Sequence, residues 1–468
     1  MQNIYSKILA IILVTFFTIG CASSIELPEI TKKMEKNWNN GSTIDSLPIT
    51  KGLLSLFEND EIDSLVIEAI RNNHDLKAAK NRLMASNYML SQTRSLLMPS
   101  ASLGFAKSRS NQNVNFLSGK NEVKDNHTIS LNVAWEVDIW GKLYEINSAA
   151  NLEWEAAREQ YLQAMDALAA RTIQTWVHIT STKNQLVLKQ EKQLRIINLN
   201  KSVEKKYKMG IASLGDLTNA KSELEITNAE LVSTEEEYGK LVRELEILLG
   251  RNPQNRLKAA DVLPEIRKPV LKIPAVVLAN RPDIKSAIFR ANSFLKNASV
   301  AKKEMLPGIN LSADMFKESV KLGDVTGATL IWNVIGNIVQ PIFNGGKLWN
   351  EAKAKELEAD AAISELHSVV LTALKEVEDG LDAERSLNAQ KMYLKKALQN
   401  LQLSNEDYKK RYRKGLVPYY VFANAQNQLA DMEIQMNKLK VAQLSNRISL
   451  ALASGYGLEE KIRNGENK

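Results

Sequence analysis

The sequence predicts a mainly α-helical protein in which a unit of two strands and two long helices occurs twice. Three observations predict this class. Identities recur in the same order in the two halves of the chain, two long stretches lack proline, and four short segments alternate between polar and apolar residues. The 468 residues include only 21 glycines and 11 prolines, too few turn formers for an all-β chain.

Composition excludes several classes of protein. The hydrophobic fraction of 44% is enough for a packed core. The net charge of +7 comes from 61 basic and 54 acidic residues that are mixed along the chain, so we expect no nucleic-acid partner. The four histidines are scattered, and Cys21 is the single cysteine, which excludes an intrachain disulfide and a cysteine-based zinc site. Because the sequence also lacks nucleotide-binding glycine loops and a nucleophile elbow, we predict no enzyme activity, no catalytic residues, no metal and no cofactor.

The first 20 residues have the layout of a secretory signal peptide. The apolar run Ile8–Ile19 is shorter than the ~20 residues that a spanning helix needs, and small residues follow it. Cys21, directly after Gly20, resembles the cysteine of a bacterial lipobox, in which a lipid is attached to the thiol and the signal is cut just before it. Thr18-Ile19 departs from the lipobox pattern, so a plain signal peptide with an incidental cysteine is the alternative. No later apolar run is long enough to predict a membrane-spanning helix.

The two halves of the chain are related by an internal repeat. Asn73–Ala79 aligns with Arg281–Ala287 at an offset of 208 residues, and Gly141–Leu143 aligns with Gly346–Leu348 at an offset of 205. Further identities at the offset of 205 are Tyr207 with Tyr412, Gly210 with Gly415, Asn219 with Asn424, Ala220 with Ala425 and Leu224 with Leu429. The predicted organisation is a signal peptide (1–20), a lipid-anchored N-terminal segment (21–70), repeat 1 (71–255), a proline-containing linker (256–280) suited to an extended crossing, repeat 2 (281–455) and a C-terminal tail (456–468).

Each repeat is predicted to hold two long helices. Residues 100–252 and 342–417 contain no proline, and apolar residues there recur at helical spacing. A first helix of about 65 residues would be ~100 Å long, which suits coiled-coil packing more than a compact globule. The predicted helices lie at about 143–207 and 214–250 in repeat 1 and at about 348–412 and 419–454 in repeat 2.

Each repeat is also predicted to hold two strands, at about 100–110 and 127–140 in repeat 1 and at about 308–316 and 328–340 in repeat 2. From Thr128 to Ile139 apolar residues take the odd positions, which gives one face made of Ile129, Leu131, Val133, Trp135 and Val137. This length is about that of a tilted membrane strand, but a half-buried soluble sheet gives the same alternation. Since four strands cannot close a barrel, a membrane interpretation requires several copies of the chain.

Four motifs carry a family resemblance: Trp135–Leu143, Arg281–Ile284, Pro341–Gly346, and Arg411-Tyr412 followed by Gly415. They resemble motifs of the TolC-like outer-membrane efflux factors, in the lipidated branch called NodT-type. The resemblance covers about residues 50–455. It implies a homotrimer with a twelve-stranded membrane β-barrel on a twelve-helix α-barrel. Such a trimer would sit in the bacterial outer membrane, anchored by lipid at Cys21, and extend into the periplasm.

The resemblance further implies a passive conduit for small toxic molecules, such as drugs, dyes, detergents or metal ions. An inner-membrane efflux pump would deliver them through a periplasmic adaptor protein, and the odd face of the strands would contact outer-membrane lipid. A type I secretion duct for protein cargo is an alternative with the same fold. A non-conducting coiled-coil tether is the alternative from another class.

The turns between the paired helices are the first candidate site. In Met209-Gly210-Ile211 and Lys414-Gly415-Leu416 each glycine follows a long helix, where a left-handed cap is needed. Ser213 and Asp216 are spaced as a capping box, and Pro418 is predicted in the first turn of its helix. Capping alone explains these residues; the resemblance adds that such tips dock onto adaptor hairpins.

The second candidate site is a periplasmic gate, assigned through the resemblance. Tyr420 and Asn424 fall where the family carries an apolar or aromatic ring and, one turn later, an aspartate ring. Arg411 and Tyr412 match the family pair that tethers neighbouring helices when the gate is shut. Asn424 departs from the pattern, because three aspartates could bind cations and three asparagines can only hydrogen-bond. The alternative is that Tyr420 and Asn424 pack between helices.

Overall fold

The computed structural model describes residues 38, 52–57, 59–115, 120–257, 262–265 and 274–458. The predicted signal peptide and Cys21 lie outside the described residues. Most described residues are helical, and the mainly α-helical class is confirmed. The chain divides into two compact units. We call residues 82–158 and 286–367 the strand unit, and residues 159–285 and 368–458, with the described residues before 82, the helix unit.

The elements follow the order predicted for a duplicated chain. A short 3-10 helix at Leu53–Leu56 precedes them. In chain order they are α1 (Asp60–Asn72), α2 (His74–Ser95), β1 (Ser100–Asn115), β2 (Lys120–Glu136), α3 (Lys142–Lys208), α4 (Leu214–Leu248), α5 (Pro274–Asn280), α6 (Pro282–Lys303), β3 (Gly308–Ser319), β4 (Ile331–Val339), α7 (Lys347–Arg413) and α8 (Tyr419–Ala453).

The duplication is visible in the bounds of these elements. Helices α3 and α7 have 67 residues each and helices α4 and α8 have 35, and within each pair both ends differ by 205 residues. Helices α2 and α6 are offset by 208 residues at both ends. The difference of three residues falls in the strand hairpins, where β1 and β2 are longer than β3 and β4. One unit of sequence therefore folds twice.

The four strands form one antiparallel sheet in the order β1-β2-β3-β4. In two adjacent rows its register aligns chemically similar residues across all four strands. One row consists of Leu103, Leu131, Met315 and Trp332, and the adjacent row consists of Ser102, Asn132, Asp314 and Asn333. Because successive residues of a strand point to opposite faces, the sheet has one apolar and one polar face at this level.

Several local predictions differ from the structure. The first hairpin is longer than predicted, since β1 continues to Asn115 and β2 begins at Lys120. Strand β2 ends at Glu136, earlier than residue 140, so Val137 lies just beyond it, although its N–H still donates to Ile309 O at 2.9 Å. The chain leaves the sheet there because the following residues build the start of α3. The linker is also not extended throughout, since Pro274–Asn280 forms helix α5. Proline suits the first position of a helix because its fixed φ is already helical.

The helix unit is held together by an apolar core. Its almost fully buried members include Met165, Ile173 and Trp176 of α3, Val242 and Leu245 of α4, and Ile448 of α8. This core packs the long helices side by side. No helix within the described ranges combines the length and the apolar composition that crossing a membrane requires.

Candidate functional site

Both candidate tips follow a 67-residue helix and share one turn geometry. Gly210 and Gly415 have φ angles of +73° and +74°, and a Cβ added at either would meet no atom within 4 Å. The N–H after each glycine donates to the carbonyl five residues back, at 2.8 Å in the first tip and 3.0 Å in the second. This bond pattern is a Schellman cap. The left-handed backbone, and not a lack of space, therefore requires glycine at both tips.

The helices that follow the tips begin in different ways. Ser213 Oγ accepts from Asp216 N at 3.0 Å, and Asp216 Oδ2 accepts from Ser213 N at 3.1 Å, so the predicted capping box is confirmed. At the start of α8, Pro418 is the N-cap residue itself and not part of the first turn. Its φ of −72° and ψ of 164° are the extended values of an N-cap, and the proline ring already holds φ near that value.

The tips of the two repeats pack together in a small core, which we call the tip cluster. Its buried members are Leu199, Val203, Leu217, Ala220, Tyr412, Tyr419 and Phe422. The rings of Tyr412 and Phe422 stack with their centroids 5.2 Å apart, and Lys206 Nζ lies 4.0 Å from the centroid of the Tyr412 ring. Burial, with a smaller effect of the Glu223 carboxylate, raises the pKa of Tyr419 to about 12, so this phenol is neutral at physiological pH.

Apolar side chains nevertheless remain exposed at the turns. Met209, Ile211 and Leu416 have exposed fractions of 55%, 70% and 70%. Lys414 is exposed beside Gly415. The turns therefore combine a rigid, glycine-capped backbone with apolar side chains that the described part of the chain does not cover.

The structure separates the four predicted gate residues. Tyr412 is buried in the tip cluster, and its hydroxyl has no hydrogen-bond partner among the described residues. Arg411 is exposed, and its Nε pairs with Asp407 Oδ2 at 2.8 Å, one turn earlier in α7. Tyr420, which is 64% exposed, and Asn424 lie one turn apart on α8. Only Tyr420 and Asn424 therefore share an exposed face, and in the single chain they do not pack between helices.

The motif Trp135–Leu143 forms the joint between β2 and α3. Trp135 Nε1 donates to Leu97 O at 3.1 Å, and Trp140 Nε1 donates to Pro307 O at 2.7 Å. Leu97 lies between α2 and β1, and Pro307 lies at the equivalent place between α6 and β3. The two indoles therefore bind the end of β2 and the segment after it to the helix–strand loop of each repeat.

Acidic residues of the same motif stabilise the first turn of α3. Asp138 Oδ2 accepts from Tyr144 N at 2.8 Å, which satisfies one of the N–H groups left free in a first helical turn. Glu136 Oε1 lies 2.6 Å from Lys142 Nζ. These structural roles were not predicted, although the sequence marks the segment twice, by the motif Trp135–Leu143 and by the alignment of Gly141 with Gly346.

Equivalent residues of the two repeats cap the ends of α4 and α8. Asn73 Nδ2 donates to Leu248 O at 3.0 Å, and Arg281 Nη1 donates to Ala453 O at 2.9 Å. Arg281 also binds the carboxylates of Asp283 and Glu376, each at 2.7 Å. The first alignment of the repeat, Asn73 with Arg281, is therefore a structural equivalence. Within the described residues, no group of histidine, cysteine or carboxylate side chains could hold a metal ion.

Long helix pairs with capped tips and an amphipathic four-stranded sheet are the elements expected of a TolC-like outer-membrane channel. The sequence model of the family described as "Outer membrane efflux protein" matches residues 65–251 and 273–456, one segment in each repeat. The chain belongs to this family, which consists of channels and not of enzymes.

Individual proteins agree with this assignment. The toluene efflux pump outer membrane protein TtgF of Pseudomonas putida is 25% identical over 433 residues, covering 92% of this chain and 87% of TtgF. The probable outer membrane lipoprotein SilC of Salmonella typhimurium is 24% identical over 416 residues, covering 87% of this chain and 88% of SilC. The crystal structure of the Campylobacter jejuni CmeC outer membrane channel has a TM-score of 0.85 at 19% identity, over 95% of this chain and 97% of CmeC. The predicted family, the efflux channel function and the outer-membrane location are confirmed, and the individual site residues remain predictions.

Proposed function

We propose that this chain forms, as a homotrimer, the outer-membrane duct of a tripartite efflux system, which passes small toxic molecules received from an inner-membrane pump through a periplasmic adaptor. The amphipathic sheet carries the proposal. The row of Leu103, Leu131, Met315 and Trp332 suits contact with lipid, and the polar row of Ser102, Asn132, Asp314 and Asn333 suits a water-filled lumen.

The predicted lipid-facing residues fit this arrangement. Ile129, Leu131, Val133 and Trp135 lie on the face of the apolar row, because residues two apart on a strand point the same way. Val137 follows the end of the strand and would lie at the periplasmic boundary of the membrane. Trp135 suits the same boundary, since tryptophan is enriched where lipid meets water.

Three copies are proposed because the sheet has two edges. Strands β1 and β4 each have one neighbouring strand in the sheet. If β1 of one chain pairs with β4 of the next, three sheets close into a barrel without an edge strand in lipid. The closed assembly would be the twelve-stranded barrel that the family resemblance implies, together with a twelve-helix α-barrel.

The long helices and the lipid anchor complete the proposed duct. A 67-residue helix is ~100 Å long, which suits a path across the periplasm. The exposed tips, with Met209, Ile211 and Leu416, suit docking to an adaptor hairpin. Cys21 suits a lipid anchor, and the relative SilC is named an outer membrane lipoprotein.

The proposed gate consists of Tyr420 and Asn424. In a threefold assembly their shared exposed face would make two stacked rings, the first bulky and the second polar but neutral. Arg411 remains available to a neighbouring chain because it is exposed, whereas Tyr412 serves the tip cluster. Because a ring of asparagines offers no carboxylate to bind cations, we place the choice of substrate among drugs, dyes, detergents and metal ions in the pump.

Planar-bilayer recordings of the purified protein test the proposal. We expect stable ion conductance from a trimer that requires detergent in solution. We also expect expression with its adaptor and pump to restore dye efflux in a strain that lacks its own outer-membrane channels. A stable trimer without conductance would contradict the proposal and favour the tether. Export of unfolded protein without export of dye would favour the secretion duct.

A further inference from the structure

The tips carry a concentration of basic residues. Residues 201–221 and residues 404–425 each contain five basic and two acidic side chains. The positive excess in these two segments nearly equals the net charge of the whole chain, +7. The expected even mixing of charges therefore does not hold at this end of the helix unit, because the tip cluster brings the two segments together.

The acidic side chains of these segments already have partners. The contacts are Glu204 with Lys208 at 2.9 Å, Glu406 with Lys409 at 3.5 Å, Asp407 with Arg411 at 2.8 Å, and Asp216 with Ser213 in the capping box. Lys205, Lys410, Arg413 and Lys414 are exposed, and none of them has an acidic partner in the part of the chain that the structure describes. The free charge at the tips is therefore positive.

Helix ends alone do not explain this charge. Basic residues are favoured in the last turn of a helix, where the backbone carbonyls carry partial negative charge. The last turns of α3 and α7 each contain three basic residues, but the last turns of α4 and α8 contain none. The other described helices carry at most two basic residues in the last turn, so positive charge is highest at the helix ends that carry exposed apolar tips, which indicates recognition as well as stabilisation.

We infer that the tips bind an acidic surface, namely the end of an adaptor hairpin in which carboxylates flank an apolar turn. The docking role rests on the proposed function, and the inference adds the chemistry of the partner. Ile211 and Leu416 pack on the apolar turn of the adaptor, while Arg413 and Lys414 pair with its carboxylates. Complementary charge of this kind speeds encounter and selects against partners of the same sign.

The test uses the full-length trimer in lipid nanodiscs and three synthetic helical hairpins. The hairpins share one apolar turn and differ only in its flanking residues, which are glutamate, glutamine or lysine. By surface plasmon resonance, we expect the glutamate hairpin to bind about tenfold more tightly than the glutamine hairpin and the lysine hairpin not to bind. High salt should remove most of this preference, because exposed charges are screened.

A charge reversal with a matched control completes the test. R413E/K414E should make the lysine hairpin the tighter ligand. K395E/K396E makes the same charge change at exposed positions of α7, about 27 Å along the helix from the tip, and should leave the preference unchanged. Equal binding or no binding of all three hairpins, or equal effects of the two double variants, overturns the inference. Conductance of the same trimer is measured separately, so a conducting trimer without acidic preference refutes this inference and not the duct.

Discussion

Asn424 places a neutral amide where the family resemblance implies a carboxylate. It is exposed on α8, one turn after the exposed Tyr420 and on the opposite side from the buried Phe422. The equivalent residue of repeat 1, Asn219, is also exposed and is also an asparagine. Because the resemblance assigns the gate to repeat 2 alone, Asn219 offers the same substitution at an equivalent exposed position outside the proposed gate.

Substitutions at the gate should distinguish the effect of side-chain size on conductance from the effect of charge on ion preference. Tyr420→Ala should raise single-channel conductance in planar bilayers, because it removes a ring of three phenols. Asn424→Asp should raise cation preference, measured as a reversal potential, because it creates three confined carboxylates. These carboxylates raise one another's pKa, so the preference should be present at high pH and weaken as pH falls and they bind protons. Asn219→Asp should leave the preference unchanged. If all three variants behave like the parent, the gate lies elsewhere.

Lipid attachment is a second prediction for a single residue. Cys21→Ser should abolish incorporation of labelled fatty acid, since the hydroxyl of serine cannot replace the thiol that carries the lipid. Ser24→Ala, three residues later, is the matched control and should keep the label. Labelling that survives in Cys21→Ser would assign the lipid to another residue or show that the cysteine is incidental.

At the scale of elements, equivalent helix pairs of the two repeats differ in one buried contact, which is an ion pair in repeat 2 and apolar in repeat 1. In repeat 2, Arg447 of α8 and Glu384 of α7 form a largely buried ion pair at 2.8 Å. At the equivalent positions of repeat 1, Val242 of α4 and Ile179 of α3 are fully buried in the apolar core. Either kind of contact can be buried between helices. The ion pair is tolerated because its attraction, in good geometry, offsets the loss of hydration of the two charges.

The repeat predicts which exchange at this contact is tolerated. Glu384→Ile alone leaves Arg447 without its carboxylate and should destabilise the protein by about 3–5 kcal/mol, the usual effect of breaking a buried pair. E384I/R447V installs the residues of repeat 1 and should recover most of that loss. Thermal unfolding followed by intrinsic tryptophan fluorescence measures both. A double variant as unstable as the single one would show that the packing around α7 and α8 requires the ions.

Elements were more predictable than the contacts between them. Sequence periodicity and missing prolines predicted the long helices, because helical spacing and proline-free chain are local properties. The capping box at Ser213 was predictable for the same reason. The separation of Arg411 from Tyr412 was not, since it depends on Phe422, which reaches Tyr412 from another helix. The end of β2 depends on hydrogen bonds from Trp135 and Trp140 to distant carbonyls.

For the whole molecule, assembly depends on which face of the sheet meets lipid. Val133 lies in register with Ala101 and Ala313, and Asn132 lies in register with Ser102 and Asp314. The two residues are adjacent in sequence but belong to opposite faces. They therefore offer a matched pair of sites at the same depth in the proposed barrel.

Arginine at each of these two sites tests the barrel directly. Val133→Arg places a charge on the proposed lipid face and should cost ~2–4 kcal/mol per chain near the middle of the bilayer. This cost recurs three times in a trimer, so the yield of detergent-resistant trimer in outer-membrane fractions should fall steeply. Asn132→Arg places the same side chain on the proposed lumen face, directly opposite the Asp314 carboxylate, and should assemble almost normally. Equal losses from the two variants would show that both faces meet the same environment, which a barrel with a lipid face and a water-filled lumen does not allow.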